Sequence, residues 1–324
     1  MSSLIENFAT KVLRGGELTP REMAVMLPLL CDAGPDQELL DWAARIREHH
    51  KGRRVLGCSI INAKSGNCTE NCTFCSQSVF NRSPIATYPF VGVRAIEEAY
   101  LASREAHAHA FSIVISGREV SDQDVSAIVN VVKRHQNRSP RWCASLGAIS
   151  ASNLAALKSA GVWRIHHNLE TSREFFPHIC TTHSFDEKIR TIRAARSLGF
   201  SICSGGLFGI GESWADRVSL AYELKALDVD AVPINFLHPI EGTALEDQRD
   251  LTPRDCLLIL AIFRFILPTK DILVCGGRQV NLGEKQSQIF HAGANGIMIG
   301  DYLTTKGTPI ADDHRMIADL GFHL

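Results

Sequence analysis

The chain has 324 residues, 45% of them hydrophobic and 21% charged, with a net charge of −1 at pH 7. That length can bury the core of one large α/β domain, or of a barrel with a small appendage. The near-neutral charge balance excludes a broad basic surface of the kind that holds nucleic acid.

Residues 1–6 show no basic segment leading into an apolar run. The most apolar stretch, 256–267, is interrupted by Arg264, stops at Pro268 and is too short for a bilayer. A cytoplasmic protein without a membrane segment is expected. In that reducing setting the ten cysteines are free thiols or metal ligands, not a disulfide framework.

Residues 1–50 read as a helical cap. Thr19-Pro20 starts a helix with proline at its first position, and 38–51 continues with apolar residues at helical spacing. From Arg53 onward, short β-rich runs alternate with amphipathic helices. Strands are expected at 55–62, 111–115, 142–146, 163–168, 200–204, 231–236, 272–275 and 296–299. Helices are expected at 95–108, 122–135, 151–159, 185–198, 214–227, 253–267 and 284–291. Gly161 and Gly199 each close a helix just before a strand. Eight alternating units predict an α/β fold of the (βα)8 TIM type over 51–324, behind the N-terminal helical segment over 1–50. A doubly wound open sheet would use fewer strands, and no GxGxxG turn follows the first one.

Chemistry in such a barrel sits at the C-terminal ends of the strands. The loop after the first strand carries Cys68, Cys72 and Cys75, with three and then two residues between them. Soft thiolates at this spacing select iron–sulfur clusters or zinc. A closed zinc site wants four ligands, and no fourth Cys or His follows within the loop. Three thiolates on a cubane leave one iron free to chelate the amino and carboxylate groups of a sulfonium substrate and pass it an electron. The glycine-rich run 205–211 reads as a tight turn that allows close backbone approach, not as a phosphate loop.

This CxxxCxxC loop after a first barrel strand resembles the radical S-adenosylmethionine (SAM) superfamily, including Phe74 before the third cysteine. The segments CTENCTFCSQS, HHNLETS, CSGGLFGIGE, VPINFL, CGGR and AGANGIMIG, in that order, narrow the resemblance to the biotin synthase family over roughly residues 50–310. It implies that Cys68, Cys72 and Cys75 hold the 4Fe–4S cluster that splits SAM. Phe74, Asn168, Glu170 and Lys188 would contact SAM, and Asn168, Asn235, Thr304 and Thr305 the substrate dethiobiotin. Apart from the resemblance, Asn168 or Asn235 also suits a loop-stabilising role, and Lys188 a solvated helix charge.

The family keeps a second cluster inside the barrel, usually on three cysteines and an arginine, as the presumed sulfur source. Cys143, Cys203 and Arg278 match three of these positions, but the fourth is Ser112, whose hydroxyl is far less acidic than a thiol. Cys275, three residues before Arg278, is the expected replacement, with Cys180 a second candidate. The expectation is an altered auxiliary iron–sulfur cluster, of the 2Fe–2S or a four-iron type, on Cys143, Cys203 and Cys275 with Arg278 close by. Cys31, Cys58 and Cys256 read as packing residues. The resemblance further implies sulfur insertion into dethiobiotin, flavodoxin or ferredoxin as electron donor, and a homodimer. The rival is a radical SAM enzyme of the same fold without sulfur insertion, of the hydrogenase maturase or methylornithine synthase type. A non-catalytic electron-carrier module is the reading from a different class.

Overall fold

The structure is a computed structural model that describes residues 3–31 and 36–324. Positions 1–2 and 32–35 of the expected helical segment, and the side chain of Cys31, lie outside the described residues. The strands are β1 (Leu56–Lys64), β2 (Ala110–Ile115), β3 (Arg141–Ser145), β4 (Arg164–His166), β5 (Ser201–Cys203), β6 (Gly206–Phe208), β7 (Ala231–Phe236), β8 (Asp271–Val274) and β9 (Gly296–Met298). Their order is β5-β4-β3-β2-β1-β9-β8-β7-β6, and a β5–β7 pairing closes the ring. Every pairing is parallel. The expected (βα)8 barrel is what forms.

One departure lies in the fifth strand, which comes in two pieces, β5 and β6. Gly205 and Gly206 make the break. A Cβ on Gly205 would stand 2.0 Å from the Pro233 carbonyl oxygen, and one on Gly206 would stand 2.7 Å from that of Glu170. The glycines let neighbouring strands close on one another here; protein backbone approaches both, and the Leu220 side chain also approaches Gly206, at 2.5 Å. Next to them, Glu212 accepts hydrogen bonds from Gly209 N and Ile210 N and from Arg217 Nε. Its carboxylate thus holds the turn by satisfying amides that no strand partner reaches.

Helices α1 (Leu4–Leu13), α2 (Pro20–Cys31) and α3 (Asp36–Lys51) precede the barrel. Then follow α4 (Gly92–Glu105), α5 (Asp122–Arg134), α6 (Ala151–Ala160), α7 (Phe176–Ile179), α8 (Phe185–Ser197), α9 (Trp214–Ala226), α10 (Pro253–Ile266), α11 (Arg278–Leu282) and α12 (Ile310–Asp319). Ser121, Ser150, Ser184, Ser213 and Thr252 cap α5, α6, α8, α9 and α10, three of them in reciprocal capping boxes. The segment expected as a helix at 284–291 is instead a 3-10 helix over Gly283–Ile289. Among the described residues, no helix is long and apolar enough to cross a membrane.

Helix α10 is buried along its length from Cys256 to Ile266, including Arg264 at 0% exposure. Its guanidinium donates to the carbonyls of Gly293, Pro268 and Lys270 and to Asn295 Oδ1, at 2.8–2.9 Å. Those acceptors lie just before β8 and β9, so one cation ties the N-terminal ends of two strands to α10. Arg264→Met removes every donor at once and leaves buried oxygens unpaired. A loss of about 3 kcal/mol or more is expected, read as a lower denaturation midpoint at unchanged slope.

Candidate active site

The cysteine loop leaves β1 at Lys64 through Gly66 and Asn67, both at positive φ. A Cβ on Gly66 would meet the Thr87 methyl at 2.4 Å, so this turn requires glycine. The loop closes on itself, with Cys68 N donating to Gln77 O and Val79 N to Cys68 O. Asn81 Nδ2 donates to the carbonyls of Cys72 and Cys75 at 3.2 and 2.8 Å. Asn71 accepts from Thr181 N and Thr182 N, which pins the loop to the segment after α7. The motif thiols are therefore presented by a hydrogen-bonded scaffold.

That segment carries Cys180, and the structure places it beside Cys72, not among the interior thiols. The ligand atoms of Cys72, Cys180 and His183 all lie within 4.8 Å of one another. Cys180 Sγ is 3.3 Å from His183 Nδ1, and His183 also bonds Glu70. The Cys72 thiol and His183 together hold Cys180 well below the usual thiol range. Residues 180 and 183 thus reach the motif from the far side of α7, a proximity with no signal in the loop itself.

A cavity of about 340 Å³ runs from the cysteine loop into the barrel. Phe74, Cys75 and Ser76 line its mouth, and Cys58, Cys203 and Cys275 line its interior. The turn after β9 covers it: Ser76 and Thr304 share a 3.0 Å hydroxyl hydrogen bond, and Asn62 Nδ2 donates to Leu303 O at 3.0 Å. Thr305 lines the same cavity. A second cavity of about 380 Å³ holds Cys68, Cys72 and Lys188, and Cys75 lines both.

Between the two thiol sets stand the expected polar residues. Asn168 Oδ1 accepts from Gly205 N at 3.1 Å, its Nδ2 faces Glu170 Oε2 at 3.4 Å, and Lys188 Nζ donates to the Asn168 carbonyl at 3.1 Å. Glu170 adopts a left-handed φ of 74°. Burial pushes its carboxyl up, with Lys188 opposing. Asn235 bridges Gly206 O and Gly276 N at 3.2 and 3.0 Å, which fixes its amide in the cavity wall. Burial holds His166 down to about 4 and His167 well below its usual value, so both rings are neutral.

The interior thiols converge. Cys203, Ala231, Leu273 and Cys275 form one buried cluster, and Cys58 and Met298 pack against it. Cys143 on β3 is 4% exposed and lies near Cys58 and Cys203. Burial pushes Cys58 up to about 11 and Cys203 up to about 12, and Cys143 and Cys275 well above their usual value. Such thiols stay protonated unless a metal displaces the proton. Soft sulfur donors around an enclosed space fit iron–sulfur chemistry, and Ser112 Oγ, buried in this wall without a partner, is free to bond a polar occupant. Cys58 packs as expected against this buried cluster and in addition lines the cavity. Parity was the available signal, because Cys58, Ile60 and Asn62 alternate onto one face of β1. Arg278 lies near Cys275, 1% exposed, with its Nη2 bound to both oxygens of buried Asp313 at 2.7 and 2.8 Å. Nothing in the sequence pointed to Asp313, which arrives from α12.

Two family models match the chain: "Radical SAM superfamily" over residues 63–223 and "Biotin and Thiamin Synthesis associated domain" over 233–323. The chain is 44% identical over 320 residues to the biotin synthase of Endomicrobium trichonymphae, covering 99% of this chain and 98% of that protein. It is 45% identical over 323 residues to that of Geobacter metallireducens, covering 99% and 97%. Among solved structures, methylornithine synthase superposes with a TM-score of 0.83 at 21% identity, covering 98% of this chain and 96% of that one. The FeFe-hydrogenase maturase of Carboxydothermus hydrogenoformans gives 0.78 at 18% identity, covering 98% and 78%. These two likenesses describe the fold. The sequence likeness spans nearly the whole chain, which therefore belongs to the biotin synthase family of radical SAM enzymes.

Proposed function

We propose that this chain is a sulfurtransferase that converts dethiobiotin to biotin, with two sets of thiols serving two clusters. The observation that carries this reading is a single cavity with Cys75 at its mouth and Cys58, Cys203 and Cys275 inside it. When bound, a 4Fe–4S cluster at Cys68, Cys72 and Cys75 supplies the electron that cleaves SAM, and an auxiliary cluster at Cys143, Cys203 and Cys275 supplies sulfur.

The chain's own residues bind and orient. Lys188 offers a cation to the SAM carboxylate, Asn168 and Glu170 offer an amide and a carboxylate to the ribose hydroxyls, and the Phe74 backbone faces the adenine. Asn235 presents a fixed amide to the ureido ring of dethiobiotin, joined by Asn168. The backbone of Thr304 and Thr305 holds the substrate carboxylate. The turn over the cavity shields it from oxygen and from stray hydrogen donors, which would otherwise quench a carbon radical. Each C–S bond formed breaks one C–H bond, consumes one SAM and leaves the hydrogen on 5′-deoxyadenosine. A reduced flavodoxin or ferredoxin as electron donor, a homodimer, a cytoplasmic location and a division into a 1–50 helical cap and a 51–324 barrel domain complete the proposal.

Protein reconstituted anaerobically with iron and sulfide should carry clearly more than about four irons per chain, the number a single cubane supplies. With dethiobiotin, SAM and a reductant it should form biotin and 5′-deoxyadenosine, both measurable by mass spectrometry. Deoxyadenosine without biotin would remove sulfur insertion and leave the radical assignment standing. Cys75→Ala should abolish both products. Lys188→Met should raise the KM for SAM about tenfold or more, the loss expected for one charge-assisted hydrogen bond; an unchanged KM would exclude Lys188 from the SAM site.

A further inference from the structure

The proposed auxiliary set counts three thiols, and the barrel interior presents a fourth. Cys58 sits on β1 in register with Ala110 on one side and Met298 on the other. It shares its face of the strand with Ile60, which also lines the cavity and lies opposite Ser112 in the β1–β2 register. The thiol is therefore one strand away from the serine that stands where a ligand was expected, and one step deeper in the barrel. Cys58 packs directly on the cluster containing Cys203 and Cys275. Each of Cys143, Cys203 and Cys275 lies close enough to feel charge on Cys58. The four residues come from β1, β3, β5 and the end of β8. No two sit on neighbouring strands, so their sulfurs approach the barrel axis from separate directions.

Arg278 is occupied elsewhere. Its Nη2 binds both carboxylate oxygens of Asp313, in a pair that is 1% exposed on each side. An arginine guanidinium is protonated in proteins and as such has no lone pair to give a metal. Its Nε and Nη1 are buried without partners and remain available as donors. A second cation, Arg164, acts on Cys58, Cys143 and Cys203 from β4 and is held by Ser201 Oγ at 2.9 Å. The interior thus offers four soft ligands, with Arg164, Arg278 and, beside Cys143, Arg141 as cations that offset their charge without binding iron.

We infer that Cys58 is the fourth thiolate ligand of the auxiliary cluster, with Cys143, Cys203 and Cys275, and that Arg278 donates hydrogen bonds beside the cluster without ligating it. This rests on the reading that the barrel interior holds a cluster at all. The ligand set restores by a cysteine on β1 what Ser112 on β2 cannot supply, so the serine is no sign of a lost site.

The test uses the full chain with Cys68, Cys72 and Cys75 changed to Ala, which leaves only auxiliary iron to be counted. After anaerobic reconstitution, iron and sulfide per chain are measured together with the Mössbauer spectrum. Adding Cys58→Ala should remove at least half of the remaining iron, and Cys58→Ser, whose hydroxyl is the poorer ligand, should lose iron or alter the spectrum. Cys256→Ala, a buried thiol on α10 remote from the cavity, should leave count and spectrum unchanged, and Arg278→Lys should leave the iron count unchanged. Circular dichroism identifies any variant that fails to fold; if Cys58→Ala does, the serine variant decides. Unchanged iron and spectrum in the Cys58 variants would overturn the ligand assignment, as would an Arg278→Lys variant that loses as much iron as Cys143→Ala. If the triple variant takes up no iron, the interior cluster and the sulfur-insertion reading fall together.

Discussion

Thiolate charge and an apolar interior are incompatible without a cation, and most of the site follows from that. Burial raises Cys58, Cys143, Cys203 and Cys275 above the usual thiol range. Without a metal they would be four protonated, weakly polar groups that pack like small hydrophobic residues. Iron bound there would change their character, expelling the protons and replacing them with a charge that the thiolates neutralise. The interior is then stable either protonated and metal-free or ionised and loaded. Nothing between those states is favourable in so low a dielectric.

The two thiol sets differ in what surrounds them. Cys68, Cys72 and Cys75 are half-buried on a loop tied by Asn71 and Asn81, and they open onto both cavities through Cys75. Small molecules can reach that side. The interior set is enclosed by strands, with Arg141, Arg164 and Arg278 as cations beside it. A radical generated at the mouth, as proposed, would meet the side chains of the cavity wall and whatever the interior holds. Rigidity here comes from closure of the ring, from the paired glycines that let β5, β6 and β7 meet, and from Arg264 gripping the opposite end of the barrel. Such a scaffold keeps reacting atoms at fixed separation without a moving part.

Cys180 shows how a plausible sequence argument can lead to the wrong neighbour. It follows the fourth strand at the barrel mouth, which made the interior an available destination. The short helix α7 and the Asn71 clamp turn its loop outward over the cysteine motif, so that it meets Cys72 and His183. Cys58 is the opposite case. A cysteine in an apolar strand normally packs, and only ring closure decides that its face of β1 looks onto an open cavity.

What the sequence determined alone was whatever depends on local order. The triplet spacing, the alternation of strand and helix, the capping serines and the glycine stops are contained within short windows, and each window is self-sufficient. The identity of the family followed from such windows in sequence order. Only the tertiary structure decided which distant groups share a space: Cys58 with Cys203 and Cys275, Arg278 with Asp313, Cys180 with Cys72. Those pairings depend on which strand faces close inward and how loops cross the barrel mouth. That is set by the sum of packing over the whole ring and is not encoded at any single position.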